Sequence, residues 1–421
     1  MKYNSLTILS IVLLCSCEKE PVLEYSTYKP IVETPKPSLD LKNFPLEIIW
    51  HRQLRDEILP NKYFNIDNIF LNGEGLAIFY DDHKFHYLNR NSGERISNTD
   101  ISSDHYNNIQ YHDKLGGIIN SHKEIRSVDK FGTETQLFQA PDSIYINSRI
   151  NLHEDDLYFL DEDYFKGTSA LYKLNVLTHD CELVLSLDGK KLWGEEYRAS
   201  IHLPVFFKVK GIEYVLNNYS KSNNHLTGIT YTTCTRKSDG LIMWEKDDLF
   251  AVEPPYIIVH YDDIILNGGS HICRVSMTTG KKVWEILPSS PDYYSPNDVS
   301  AYGGKVHNGK LAFISQQKFR ELDLGTGAYT YTGPLLNGYN DMGIVISNGI
   351  AYWSCSEDVN SYLYGMKLSD HSIVLKALNP NKHSPAIGLT SKFLVNKMQV
   401  DHNQKLGYIA DGSFIYCIKL L

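Results

Sequence analysis

From about residue 46 to the C-terminus, apolar residues come in short runs bounded by Gly, Asn, Asp and Ser. Leu76-Ala77-Ile78-Phe79-Tyr80, Tyr256-Ile257-Ile258-Val259 and Gly343-Ile344-Val345-Ile346 are examples. Long segments with a 3.6-residue period are almost absent, so the pattern predicts strands and an all-β fold. Upstream the pattern changes twice. Lys2 precedes an apolar stretch from Leu6 to Leu14 and then Cys15-Ser16-Cys17, which is too short for a spanning helix and reads as a signal peptide over 1–16. Residues 17–45 carry Pro21, Pro30, Pro35, Pro37 and Pro45 with few large apolar side chains, the composition of a semi-extended tether.

Within 46–421 one phrase recurs: a short apolar run, a polar turn ending in Gly, then another strand with an aromatic or aliphatic residue four positions on. Cys273-Arg274-Val275-Ser276-Met277-Thr278-Thr279-Gly280-Lys281-Lys282-Val283-Trp284 is the clearest copy, and Gly240 with Trp244 and Gly327 with Tyr331 repeat it. Weaker copies end at Gly93, Gly132, His179 and His371, where the two histidines break the glycine rule. Successive turn positions are 39, 47, 61, 40, 47 and 44 residues apart, the period of propeller blades. Glycine suits such a turn because it takes positive φ without a Cβ penalty, and the aromatic would seal the gap between neighbouring blades.

Seven turns are visible, and the two chain ends supply an eighth blade. The C-terminal run Phe414-Ile415-Tyr416-Cys417-Ile418-Lys419 stops where a turn would follow, and Leu46-Glu47-Ile48-Ile49-Trp50 provides the missing outer strand, with Trp50 standing where Trp244 and Trp284 stand. The expected fold is an eight-bladed β-propeller over 46–421, closed by an N-terminal strand that completes the last blade; seven blades is the alternative if one weak repeat is false.

Composition narrows the function classes. With 42% hydrophobic residues and 22% charged, the chain can bury a large core. A formal charge of -9 argues against a nucleic-acid partner. Seven cysteines are too few for disulfides to carry the fold. Leu14-Cys15-Ser16-Cys17 resembles a bacterial lipobox, which makes Cys17 the acylated first residue of the mature chain; an ordinary secretory signal is the plainer reading. Glu18-Lys19-Glu20 behind it resembles a surface-export signal of lipoproteins in Bacteroidetes-type bacteria, or is simply a solvated linker.

The Thr-Gly or Ser-Gly turn followed by Trp resembles the repeat of the PQQ-like (quinoprotein-type) β-propellers. Together with the lipobox and eight blades, the layout is similar to the propeller lipoprotein family of the outer-membrane β-barrel assembly machinery. That resemblance implies an outer-membrane, lipid-anchored module, exposed at the cell surface or facing the periplasm, that scaffolds outer-membrane or surface proteins without catalysis. Two alternatives stand beside it: a surface glycan-binding or glycan-processing protein, and a PQQ-dependent oxidoreductase. The last resembles chains with a vicinal Cys-Cys pair, and this sequence has no such dipeptide.

No catalytic, metal or cofactor residues are expected from the sequence. His83-Lys84-Phe85-His86 is the closest histidine pair, but strand alternation splits its side chains and surface histidines are the simpler reading. Glu154-Asp155-Asp156 and Asp161-Glu162-Asp163 lack the spacing of a calcium loop and read as solvated loop charges. Cys234 and Cys273 lie about one repeat apart and could face each other across neighbouring blades, although small apolar roles suit them better. The segment from Asn217 to Thr230, rich in Asn, Ser and Tyr, lengthens one repeat and is a candidate contact loop, as is the Tyr293-Tyr294 cluster for aromatic contacts.

Overall fold

In the computed structural model, the described residues are 38–421 apart from 55–65, 81–83, 102–108, 164–166, 195–196, 224–228, 250–256, 268–271, 287–302, 316, 337–338, 341–342, 358–359, 383–392 and 412. They form eight antiparallel sheets of four or five strands with the strand order of propeller blades, and one further two-stranded pairing. Blade 1 is Ile66–Leu71, Gly75–Tyr80, Lys84–Asn89 and Arg95–Asp100; blade 2 is Gln110–His112, Gly116–Asn120, Glu124–Val128 and Glu134–Gln139. Blade 3 is Ile146–His153, Asp156–Asp163, Thr168–Asn175 and Cys181–Asp188. Blade 4 has a first strand in two pieces, Tyr197–Ile201 and Val205–Val209, followed by Ile212–Asn223, Ile229–Arg236 and Ile242–Lys246. Blade 5 is Ile257–His260, Asp263–Asn267, Ile272–Ser276 and Lys282–Ile286; blade 6 is Lys305–His307, Lys310–Ser315, Lys318–Asp323 and Tyr329–Leu335. Blade 7 again splits its first strand, into Tyr339–Asn340 and Val345–Ser347, before Ile350–Glu357, Asn360–Lys367 and Ile373–Leu378.

Blade 8 joins the two ends of the chain. Gln399–Asp401, Leu406–Ala410 and Phe414–Lys419 are completed by Ile48–Gln53, with Trp50 opposite Cys417 and Gln53 opposite Phe414. The Lys419 amide donates to the Glu47 carbonyl at 2.9 Å, as the Asn89 amide donates to Glu94 in blade 1. The hairpin geometry is therefore reproduced without a covalent turn.

Each of the eight seams between blades holds its own apolar cluster. This explains why second strands read as continuous apolar runs and not as alternation: both faces are buried, one against each neighbour. In blade 1, Leu76, Ile78 and Tyr80 face blade 8, while Ala77 and Phe79 face blade 2. In blade 5, Ile264 and Leu266 face blade 4, and Ile265 faces blade 6. Side-chain amides of the innermost strands add a polar stitch around blades 1 to 4. Asn68 donates to the Ile109 carbonyl (3.4 Å), Gln110 to Ile150 (3.3 Å) and Asn151 to Pro204 (2.8 Å).

All seven turn residues named from the sequence have positive φ, from 59° at His371 to 83° at Gly132, and His179 and His371 adopt it as well. The Asn or Asp at the end of the third strand often caps the turn; the Asn175 carboxamide oxygen, for instance, accepts from the Leu177 and Thr178 amides. Three tryptophans then lock neighbouring blades. Trp50, Trp244 and Trp284 lie against Gly93, Gly280 and Gly327 of the following blade, so closely that a Cβ on any of these glycines would stand 2.5–2.7 Å from an indole carbon. Their Nε1 groups donate to the carbonyls of Arg90 (3.0 Å), Met277 (3.0 Å) and Leu324 (3.2 Å) in those same turns.

The packed region starts earlier than the expected tether boundary at 45. Ser38–Leu39 pairs with Asn381–Lys382, and the Asp40 amide donates to the Pro380 carbonyl at 2.7 Å. Leu39, Phe44 and Leu46 pack into the seam between blades 7 and 8. These isolated apolar residues escaped a reading based on prolines because no periodic strand surrounds them.

Candidate functional site

The two ends of the ring differ. One carries the short turns between first and second and between third and fourth strands; the other carries the turns between second and third strands and the longer links between blades. The connection-bearing end is dominated by blade 4. Its second strand, Ile212–Asn223, has 12 residues, four more than the longest second strands elsewhere, an excess of about 13 Å. Val205–Val209 pairs its near half and Tyr197–Ile201 its far half. The described parts of the Asn217–Thr230 segment, 217–223 and 229–230, are strand; its tip, 224–228, lies outside the described residues.

Aromatic side chains collect along this extension. Tyr219 and Tyr231 are directly opposed and stacked at 5.0 Å. The Lys221 ammonium sits 4.0 Å from the centroid of Tyr197 and 5.5 Å from that of Trp193, an attraction of about 0.5–2 kcal/mol per ring. Trp193 closes the short helix Gly189–Trp193, which begins on an Asp188 cap bonded to the Lys191 amide at 3.2 Å. Gly189 is required there, since a Cβ would meet the Arg198 and Ala199 backbone at 2.5 Å. Leu192 beside it is 54% exposed. At the turn of blade 2, Tyr145 stacks on His122 at 4.3 Å and is also exposed.

The short-turn end carries three polar groups, each across a seam. A groove of about 490 Å3 between blades 1 and 2 is lined by Asn72, Tyr87, Tyr111, Asp113, Lys130 and Phe131. Asn72 accepts from Tyr87 (3.0 Å) and donates to Tyr111, whose phenol is pushed up chiefly by burial. A second groove of about 700 Å3 lies between blades 6 and 7. At its floor Glu321, 1% exposed, is held by Lys310 (3.0 Å) and His371 (3.1 Å). Between blades 3 and 4, His153, Glu154 and Glu213 converge on Lys237.

The residues singled out from the sequence meet different fates. Cys17, His83 and Tyr293-Tyr294 lie outside the described residues. His86 is buried in blade 1, edge-on to Tyr80 at 5.6 Å, and not at the surface as expected. The acidic stretch at 154–156 is more engaged than solvated charges would be: Glu154 pairs with Lys237, Asp155 with His112 (2.9 Å), and Asp156 accepts from Asn175 (3.2 Å). Cys234 and Cys273 share the apolar cluster between blades 4 and 5 as free thiols, each pushed up to about 12 by burial, so neither is a nucleophile. The cysteines at 234, 273, 355 and 417 sit in separate strands and form no vicinal pair of the kind a quinone site asks for. The sequence missed Lys237, Trp193 and Glu321, because their partners come from turns and strands far away along the chain.

No protein-family model and no curated protein sequence matches the chain. Solved propellers do resemble it in three dimensions. BamB from Moraxella catarrhalis aligns with a TM-score of 0.54 at 10% identity, covering 89% of this chain and 100% of that one. Saccharomyces cerevisiae Sqt1 gives 0.56 at 9% identity over 86% of this chain and 98% of that one. The C-terminal WD40 domain of Sif2 gives 0.50 at 11% identity over 89% and 98%. At such identities the likeness is one of fold.

Proposed function

We propose that this chain is a lipid-anchored propeller of the bacterial outer membrane, tethered through Cys17, that acts as a non-catalytic scaffold for outer-membrane or surface proteins. The observation that carries the reading is the blade 4 extension, where Trp193, Tyr197, Lys221, Tyr219 and Tyr231 form an aromatic, cation-bearing surface on an otherwise closed ring. Aromatic residues anchored on a rigid scaffold are the usual energetic centre of protein contacts. The likeness to BamB and to a WD40 domain supports the scaffold; the lipobox-like Cys15-Ser16-Cys17 supports the anchor.

Crosslinking and pull-down of the lipidated protein from its native envelope, with a Trp193→Ala/Tyr197→Ala variant alongside, tests both parts. Recovery of outer-membrane proteins by the native chain and their loss from the variant is the expected result. Retention on polysaccharide with no protein recovered would move the assignment to glycan binding, which the same stacked aromatics favour as a second reading. Cys17→Ala should release the protein into the soluble fraction; continued membrane association overturns the anchor.

A further inference from the structure

The seam between blades 3 and 4 contains a cation cradle built from three separate turns. His153 and Glu154 come from the first turn of blade 3, Glu213 follows the first turn of blade 4, and Lys237 lies in the turn after the third strand of blade 4. The Lys237 ammonium stands 3.0 Å from His153 Nε2, 3.1 Å from Glu154 Oε2 and 2.9 Å from Glu213 Oε2. The imidazole is fixed by lying flat on Phe206, 3.9 Å between centroids and 9° between planes.

The polar contacts of this cradle cannot all be favourable at once. His153 Nε2 also lies 3.1 Å from Glu213 Oε1. If Nε2 carries its lone pair, it accepts from Lys237 but faces a carboxylate oxygen, acceptor against acceptor. If Nε2 carries a proton, it donates to Glu213 but points that proton at an ammonium, donor against donor. A metal ion removes the conflict, since it accepts electron pairs from the nitrogen and both carboxylates together. Zinc bonds of about 2.0–2.2 Å arranged tetrahedrally put neighbouring ligand atoms about 3.3 Å apart, a spacing that His153 Nε2 and Glu213 Oε1 already have and that the third ligand reaches by a small side-chain adjustment. All three ligand atoms lie within 4.8 Å of one another.

We propose that His153, Glu154 and Glu213 form a divalent-metal site of zinc type, with water as the fourth ligand, and that Lys237 occupies the metal's place in its absence. Lys237 is 30% exposed and can swing out to solvent. One nitrogen and two carboxylate oxygens with an open position suit zinc better than magnesium or calcium, which prefer an all-oxygen set. The bound ion would tie blade 3 to blade 4 at the short-turn end, opposite the end that carries the blade 4 extension.

Calorimetric titration of the mature chain with Zn2+ near neutral pH, repeated on His153→Ala, Glu213→Gln and Lys237→Met, decides it. The native protein should take up one zinc saturably. Glu213→Gln, which preserves shape and whose fold is checked by its unfolding curve, should lose that binding, as should His153→Ala. Lys237→Met should bind roughly five- to tenfold tighter, because no ion pair has to be broken first. Absence of saturable binding by the native chain overturns the site, as does binding that survives in both ligand variants. Uptake by Lys237→Met alone also overturns it, since the lysine then owns the cradle.

Discussion

The phenol ring of Tyr331 lies parallel to the imidazole of His371, with centroids 3.6 Å apart and planes 1° from coincidence. Tyr331 follows its turn glycine by four residues, the position of Trp244 and Trp284, and His371 holds the positive-φ position that glycine takes in five of the seven turns. The aromatic-on-turn lock is thus kept between blades 6 and 7 with both partners exchanged. The stacking ring and the bond from His371 to Glu321 offset a φ of 59° that disfavours any side chain.

His371→Ala and His371→Gly should therefore part company. Alanine loses the stack and the Glu321 contact while keeping the strained backbone, and should cost about 1–3 kcal/mol. Glycine loses the same contacts but removes about 1–2 kcal/mol of strain, so its net cost should be much smaller. Urea unfolding of the two variants measures the gap; identical midpoints would show that turn strain is irrelevant.

Two glycines with similar φ, 66° at Gly93 and 70° at Gly240, provide a matched pair. Gly93→Ala places its Cβ in the Trp50 indole and should destabilise the ring by roughly 2–4 kcal/mol. Gly240 has open space around the same direction, so Gly240→Ala should cost only about 1 kcal/mol of backbone strain. Equal losses in melting temperature would argue against the indole lock.

Trp50→Ala removes a side chain that is 9% exposed, packs near Tyr408 at 6.0 Å and donates to Arg90. A loss of about 3–5 kcal/mol is expected. Deleting 46–54 should be worse, since blade 8 then lacks a strand, and an unchanged melting temperature for that deletion would exclude closure by the N-terminal strand.

Asp411 predicts a pH dependence. Its buried carboxyl accepts from the Ser413 and Phe414 amides and the Tyr416 hydroxyl, yet desolvation outweighs these bonds and raises its pKa. Between the ordinary carboxylate pKa of about 4 and the raised folded value, the native state binds more protons than the unfolded one. This contribution is therefore fully present below that window and is lost as pH rises through it. Asp411→Asn should flatten that part of the stability profile, seen as a smaller difference in unfolding midpoint between mildly acidic and neutral buffer.

Much of the ring could be read from the sequence because its repeat writes the same local chemistry each time. The turn at Gly280 needs positive φ and the strand after it needs Trp284, and both demands are satisfied within twelve residues. Trp50 was recognisable for the same reason, although its blade partner Cys417 is at the other end of the chain. His371 was harder to place because its compensation, Tyr331 and Glu321, belongs to the previous blade. The cradle at Lys237 was out of reach: His153 and Glu213 are 60 residues apart, and only the stacking of blade 3 on blade 4 brings them together. Leu39 and Phe44 were hidden by the opposite cause, apolar residues without a periodic neighbourhood.

The pairing of Trp50 with Cys417 has a consequence for biosynthesis. The strand Ile48–Gln53 is made well before its partner, which lies 367 residues later in the chain. At about 5–20 residues per second, that strand waits roughly 20–70 seconds with Ile48 and Trp50 unburied. Seven blades can stack in order as they emerge, but the earliest strand has to stay clear of every intermediate edge until the final one is synthesised. A factor that shields this short apolar segment until its partner strand is made would act on the one blade that sequential stacking cannot complete.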